Sequence, residues 1–337
     1  MTRTRKKIIA FFLAFCLMVN GLYTGLIPSK AYAEDPTETP TAVLYVGGTG
    51  ASDENTGKAD APLATLAAAY KKVPESNVKT YIVICDVVEV GETYQLSTGY
   101  QYFKPHSGEV IITSKYETAD HSAAASLDLS GNWALMGDTT FEHITVTGYA
   151  TEIYANYFKF HLGEGITLAT GTSYIAKKLY LGTTSKINGQ LVGNTAITIS
   201  KKNIDFTMRS GAVQYLYGGG NGTQGDNGVD YPSITLNIEG GIITYALYGS
   251  GLGVGSEHKS ITINISGTGK VSKTLYGTHG QAVVQGDVTI NMSGGTVNTL
   301  YGAGYHDTNT GEVQGNVIVN HTGGTITALN AVQDGAV

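Results

Sequence analysis

Four tyrosines recur at equivalent points of one phrase, each followed by glycine: Tyr217, Tyr248, Tyr276 and Tyr301. Sugars stack on aromatic faces, so a row of such rings one repeat apart suits an extended glycan. The competing reading is a packing ladder in which each ring stacks on the next. A second group offers oxygen ligands. In GDNGVD, Asp226, Asn227 and Asp230 lie on a glycine-rich loop, a donor set suited to a hard cation. The cofactor expectation is therefore calcium or none, because the spacing matches neither an EF-hand loop nor a nine-residue calcium repeat. A third group, His258, His279 and His306, falls in three successive loops at offsets of 10, 3 and 5 from the preceding tyrosine. Zinc demands fixed geometry and further ligands, so these are expected to be exposed loop histidines. Asp128, Asp138, Glu142, His143 and Glu152 cluster earlier in the chain. Alternation puts Glu142 and His143 on opposite faces of a strand, so they cannot simply act as a pair, and catalytic residues stay unassigned.

The elements that carry these groups are repeats. ITLNIEGGIITYALYGSG starts at Ile234, ITINISGTGKVSKTLYGTHG at Ile261 and VTINMSGGTVNTLYGAG at Val288. A degenerate copy starts at Ile204 and a last one at Val317. The tyrosines are spaced 31, 28 and 25 residues apart, a period at which each unit is too small to bury its own apolar face and must stack. Alternation predicts inward columns Ile204/Ile234/Ile261/Val288/Val317 and Phe206/Leu236/Ile263/Ile290/Val319. The outward columns are Asp205/Thr235/Thr262/Thr289, Thr207/Asn237/Asn264/Asn291/Asn320 and Arg209/Glu239/Ser266/Ser293/Thr322. Arg209 and Glu239 then fall on adjacent rungs and predict an ion pair. Leu216, Leu247, Leu275 and Leu300 point the other way from the tyrosines that follow them. The steps Gly240-Gly241, Gly294-Gly295 and Gly323-Gly324 supply positive φ for the bends. The loops after each Tyr-Gly vary in length and hold most of the polar side chains, so they are the expected seat of function.

Upstream, strand-like runs at Tyr81–Val90, Glu109–Thr113, Ser126–Leu129, Thr139–Thr147, Tyr157–His161 and Ala196–Ser200 alternate with turns too short for helical crossovers. Before them, Leu44 to Val46 reads as a strand and Gly47 to Ala61 as a loop. Pro62 opens an alanine-rich helix over Leu63 to Val73, which Pro74 ends. The pattern carried by Tyr45, Gly50, Asp53, Asn55, Gly57, Pro62, Thr65, Leu66 and Ala69 resembles the start of secreted proteins of the pectate-lyase-like superfamily. FEHITVTG from Phe141 resembles a rung of such proteins. The resemblance implies an all-β, right-handed parallel β-helix whose open apolar end is closed by a short capping helix. Lyases of that architecture use acidic calcium ligands with a Lys or Arg base, and glycosidases use two carboxylates about 5–9 Å apart. The outward Thr, Asn and Ser columns of the repeat offer neither.

The chain begins with Arg3, Arg5, Lys6 and Lys7, then an apolar run from Ile8 to Val19, then Ala31-Tyr32-Ala33. This reads as a secretory signal peptide over 1–33; the apolar run is too short to span a membrane. Its removal takes five of the 21 basic residues and none of the 27 acidic ones, leaving a formal charge of −11. So acidic a chain, with Arg209 its sole arginine, is a poor binder of nucleic acid and of polyanionic glycans. Cys85 is left without a disulfide partner and reads as a small buried hydrophobe.

The expected organisation is a signal peptide (1–33), a linker (34–41), an N-terminal cap (42–78), irregular rungs (79–202), repeat rungs (203–332) and a tail (333–337). The last copy, which lacks Tyr-Gly, is expected to be a terminal rung or a point inside a larger wall-attached protein. The expected function is that of a secreted or cell-surface β-helix of a Gram-positive-type bacterium. It would be non-catalytic, serving adhesion, binding of an extracellular polysaccharide or cell-wall glycan, or spacing. The alternative is a polysaccharide lyase or glycosidase.

Overall fold

A computed structural model describes residues 41–221, 231–252, 256–304 and 311–331. It is all-β apart from one short helix, and its strands lie in long parallel ladders. The first ladder starts with Thr41–Val46, Lys79–Ile84, Val110–Thr113, Thr139–Phe141 and Phe160–Leu162. It continues through Ile204–Met208, Ile234–Ile238 and Ile261–Ile265 to the first halves of Val288–Tyr301 and Val317–Asn330. From Ile204 onward, partners are 27 to 30 positions apart in the chain. The second ladder runs through Gly131–Ala134, Ala150–Tyr154, Ala176–Tyr180, Ala212–Tyr217, Ile242–Tyr248 and Lys270–Tyr276, ending in the second halves of the two long strands.

Both inward columns expected from the repeats are realised as far as Val288 and Ile290; in the last copy Val317 is exposed and Val319 only partly buried, because no further rung covers them among the described residues. Ile234, Ile261 and Val288 pair in register, as do Leu236, Ile263 and Ile290, and all six are fully or almost fully buried. Each such side chain withdrawn from water contributes roughly 1.5–3 kcal/mol, so the columns dominate cohesion of the stack. Leu216, Leu247, Leu275 and Leu300 join the same core, while Tyr217 and, partly buried, Tyr248 belong to a separate cluster. At the bends the left-handed geometry expected of the Gly-Gly steps falls on the second glycine of each pair, Gly241, Gly295 and Gly324, with φ of 70°, 70° and 82°.

The helix spans Leu66–Lys72, later than expected from Pro62. Thr65 caps it, its hydroxyl accepting from the Ala68 N–H, and Asp53 fixes that cap by accepting from both the N–H and the hydroxyl of Thr65. Leu63 instead bridges to Val46 in strand geometry. Leu66, Ala69 and Tyr70 are buried against the end of the core, and Tyr70 stacks on Phe103, which stacks on Trp133. The strand expected over Thr139–Thr147 is broken at Glu142–Ile144, where His143 takes φ 48°. Tyr157 turns at φ 64° and the strand starts at Phe160. Around Ala196 there is only a two-residue antiparallel hairpin arm.

Among the described residues no helix is long and apolar enough to cross a membrane. The leader 1–33 and almost all of the linker lie outside the described residues.

Candidate functional site

The tyrosines form a continuous column. Rings of Tyr154, Tyr180, Tyr217, Tyr248, Tyr276 and Tyr301 stack face to face with centroids 4.5, 4.6, 5.0, 5.0 and 5.2 Å apart. Parallel register holds each ring over the next, because Tyr180, Tyr217, Tyr248, Tyr276 and Tyr301 are successive ladder partners. The faces of the inner rings are therefore occupied by other tyrosines, which leaves a sugar only their edges. Tyr154 and Tyr180 are wholly buried under Leu96, Ile187 and Tyr100, and burial pushes their phenols well above the usual range. Sequence reasoning misses these two members because they precede the recognisable repeat. Tyr100 meets Tyr154 edge-on and its hydroxyl donates to Glu152, whose carboxylate also lies 3.6 Å from Lys178.

The loops after Tyr-Gly are more regular than expected. They carry a further parallel ladder, Ser256–His258, Ala282–Val284 and Glu312–Val313. His258 is consequently buried, not exposed, with Nε2 2.8 Å from the Ser256 hydroxyl. Burial, reinforced by the charge of Lys201, pushes its imidazole down to about 3, so it is neutral at physiological pH. His279 packs edge-on against Tyr248. His306, and the calcium candidates Asp226, Asn227 and Asp230, lie outside the described residues. Among the described residues no three His, Cys, Asp or Glu side chains gather as a metal site.

The outward surface of the first ladder divides into two regions. Over the repeats it bonds to itself along the stack: the Asn264 amide donates to Asn237 at 2.7 Å, Asn291 to Asn264 at 2.9 Å and Asn320 to Asn291 at 2.9 Å. Arg209 Nε donates to Glu239 at 2.8 Å, the cross-rung pair that the columns predict. Both partners are substantially exposed, so this pair is worth at most about 1 kcal/mol. Toward the N-terminal rungs the same surface is charged. His161 pairs in register with Thr140 and Thr207, and its Nδ1 accepts from the Thr207 N–H, which leaves Nε2 as the protonated nitrogen of a neutral ring. Burial lowers its basicity against the pull of Asp205 and Glu109. Beside it, Gly163 opens a notch over which Glu142 leans, its Oε2 3.3 Å from the point a Cβ would occupy. Glu109 accepts from the Thr140 hydroxyl at 3.0 Å.

Of the early carboxylates, Asp128 is occupied by the turn it closes, accepting from the N–H and hydroxyl of Ser130. Asp138 accepts from the Lys159 N–H. Glu152 lies on the second ladder, whereas Glu142 falls in the break after Thr139–Phe141, so the two do not share a face. His161 and Glu109 are not legible as site residues in the sequence, since only the observed register places them beside Thr140. Cys85 is half-buried, its thiol pushed up by desolvation. The chain matches no family model, no curated protein and no solved structure.

Proposed function

We propose that the chain is a right-handed parallel β-helix, capped by its Leu66–Lys72 helix and similar to secreted proteins of the pectate-lyase-like superfamily. In this reading residues 1–33 direct export, and the protein works outside the cell as a non-catalytic, glycan-binding adhesin or spacer. The observation that carries the reading is the self-bonding of the repeat surface. Its asparagines satisfy one another along the stack and its tyrosines stack on one another, an arrangement that builds a stiff rod with a polar exterior. Acid–base catalysis instead needs groups held free to exchange protons with a substrate.

A second reading, a lyase or glycosidase, rests on one observation: His161 stands on the outward first ladder opposite Thr140, and Glu142, just past the end of that Thr139–Phe141 strand, leans over the Gly163 notch beside it. One experiment separates the two. The purified protein is incubated with plant, algal and bacterial polysaccharides, and both retention and new unsaturated or reducing ends are measured. Retention without product is expected. Turnover that Glu142→Gln or His161→Ala abolishes would replace the first reading with the second.

A further inference from the structure

The second ladder carries a two-rung irregularity among the repeats. Ile242–Tyr248 and Lys270–Tyr276 each have seven residues where Ala212–Tyr217 has six. Gln214 alone separates Val213 from Tyr215, but the facing strand fits both Thr244 and Tyr245 between the corresponding partners. Ser272 and Lys273 continue the surplus on the next rung, and the rung after it returns to Asn298 alone. Bulges of this kind interrupt ladder bonding and re-aim a side chain. Here the two bulged rungs turn out Tyr245, 40% exposed, and Lys273.

These side chains meet. Lys273 Nζ lies 4.3 Å from the centre of the Tyr245 ring, and that ring lies 4.8 Å from Tyr215. Lys178 is the register partner of Tyr215 one rung earlier. Four consecutive rungs thus present ammonium, phenol, phenol and ammonium. The two rings are tilted by 40° to each other and their hydroxyls are hydrogen-bonded together, while Lys273 covers the Tyr245 ring, so the strip offers an ammonium at each end and a linked phenol pair between them. Lys178 has Glu152 at 3.6 Å, whereas Lys273 has no carboxylate of the described residues within salt-bridge distance.

We propose that Lys178, Tyr215, Tyr245 and Lys273 form a docking strip for an acidic polymer lying along the stack, its carboxylate or phosphate oxygens held by the two lysines and its neutral oxygens by the two phenols. Rungs about 4.8 Å apart spread these donors over a length that a single small anion cannot span, so the ligand is a chain. The exported chain is acidic overall, at −11, so the strip is a local exception and its binding is weak and sensitive to salt. The inference rests on the glycan-binding reading and names the surface and charge class for it.

The test is calorimetric titration of the full chain with a polyuronate, a poly(glycerol phosphate) and neutral dextran, at low and at high salt. At least one acidic polymer is expected to bind at low salt and to be released at high salt, and which one binds tells carboxylate from phosphate. Lys273→Ala should weaken that binding about tenfold, the loss of one charge-assisted contact. Deleting Tyr245 and Lys273 together restores six-residue strands and should abolish it. Circular dichroism and the unfolding midpoint of Lys273→Ala should stay those of the parent. Acidic-polymer binding unchanged by Lys273→Ala overturns the strip. Binding of dextran alone overturns it but leaves glycan recognition standing. Failure of every polymer to bind overturns both.

Discussion

A buried neutral histidine makes stability depend on acid in a direction that can be worked out. His258 has its imidazole pushed down to about 3, mainly by burial, against about 6.5 in an unfolded chain. Between those values the unfolded chain holds a proton that the folded one does not. The contribution is therefore complete above about pH 6.5 and is lost progressively as pH falls toward 3, by at most about 1.4 kcal/mol per pH unit. His258→Gln removes the titration and leaves the carboxylates common to both proteins. Urea unfolding at pH 7, 6, 5 and 4 should show the parent losing stability faster than the variant below pH 6.5. Parallel curves would mean that His258 takes up its proton without unfolding. The same residue shows how far sequence can go. It reads as an exposed loop histidine because its loop length is irregular, and only the pairing of Ser256–His258 with Ala282–Val284 reveals that the loop contains a strand.

At the scale of elements, legibility tracks translational repetition. Where consecutive rungs repeat the same residue types at the same offsets, columns can be read directly: the apolar ladders, the asparagine row and the Arg209–Glu239 pair all follow from aligning copies. In the earlier rungs strand lengths vary and excursions such as Leu191–Val192 with Thr195–Ala196 intervene, so register is set by pairing and not by spacing. Glu109, His161, Tyr154 and Tyr180 are hidden for that reason. The glycine after each tyrosine has a different cause from those at the bends. Gly218, Gly249 and Gly277 stack so closely that a Cβ on Gly249 would lie 2.0 Å from the Gly277 carbonyl oxygen, a backbone atom held by its own ladder. Gly249→Ala must push neighbouring rungs away from each other, and overpacking of this kind costs about 1–3 kcal/mol or more. The expected result is a lowered unfolding midpoint with retained β-sheet circular dichroism. An unchanged midpoint would show that the rungs slide apart freely at this corner.

For the molecule as a whole, a stack of units that each contact only their neighbours needs its end columns covered. Leu66 is fully buried at the N-terminal end beside Leu63, Ala69 and Val73, with Lys71 and Lys72 exposed on the same helix. One short helix therefore exchanges an apolar end for a charged one, and the aromatic stack of Tyr70, Phe103 and Trp133 ties it to the rungs beneath. Leu66→Asp places a carboxylate inside the buried apolar cluster. A buried unpaired charge is costly enough that the helix should lift away before it accepts one. The first rungs would then present uncovered apolar columns, and exposed surfaces of that kind associate. Light scattering across a concentration series should show the parent at constant mass and Leu66→Asp forming larger species, while Lys71→Asp, on the exposed side, behaves as the parent. If Leu66→Asp keeps the parent's mass and unfolding midpoint, the helix is an appendage and the columns beneath it are closed by something else.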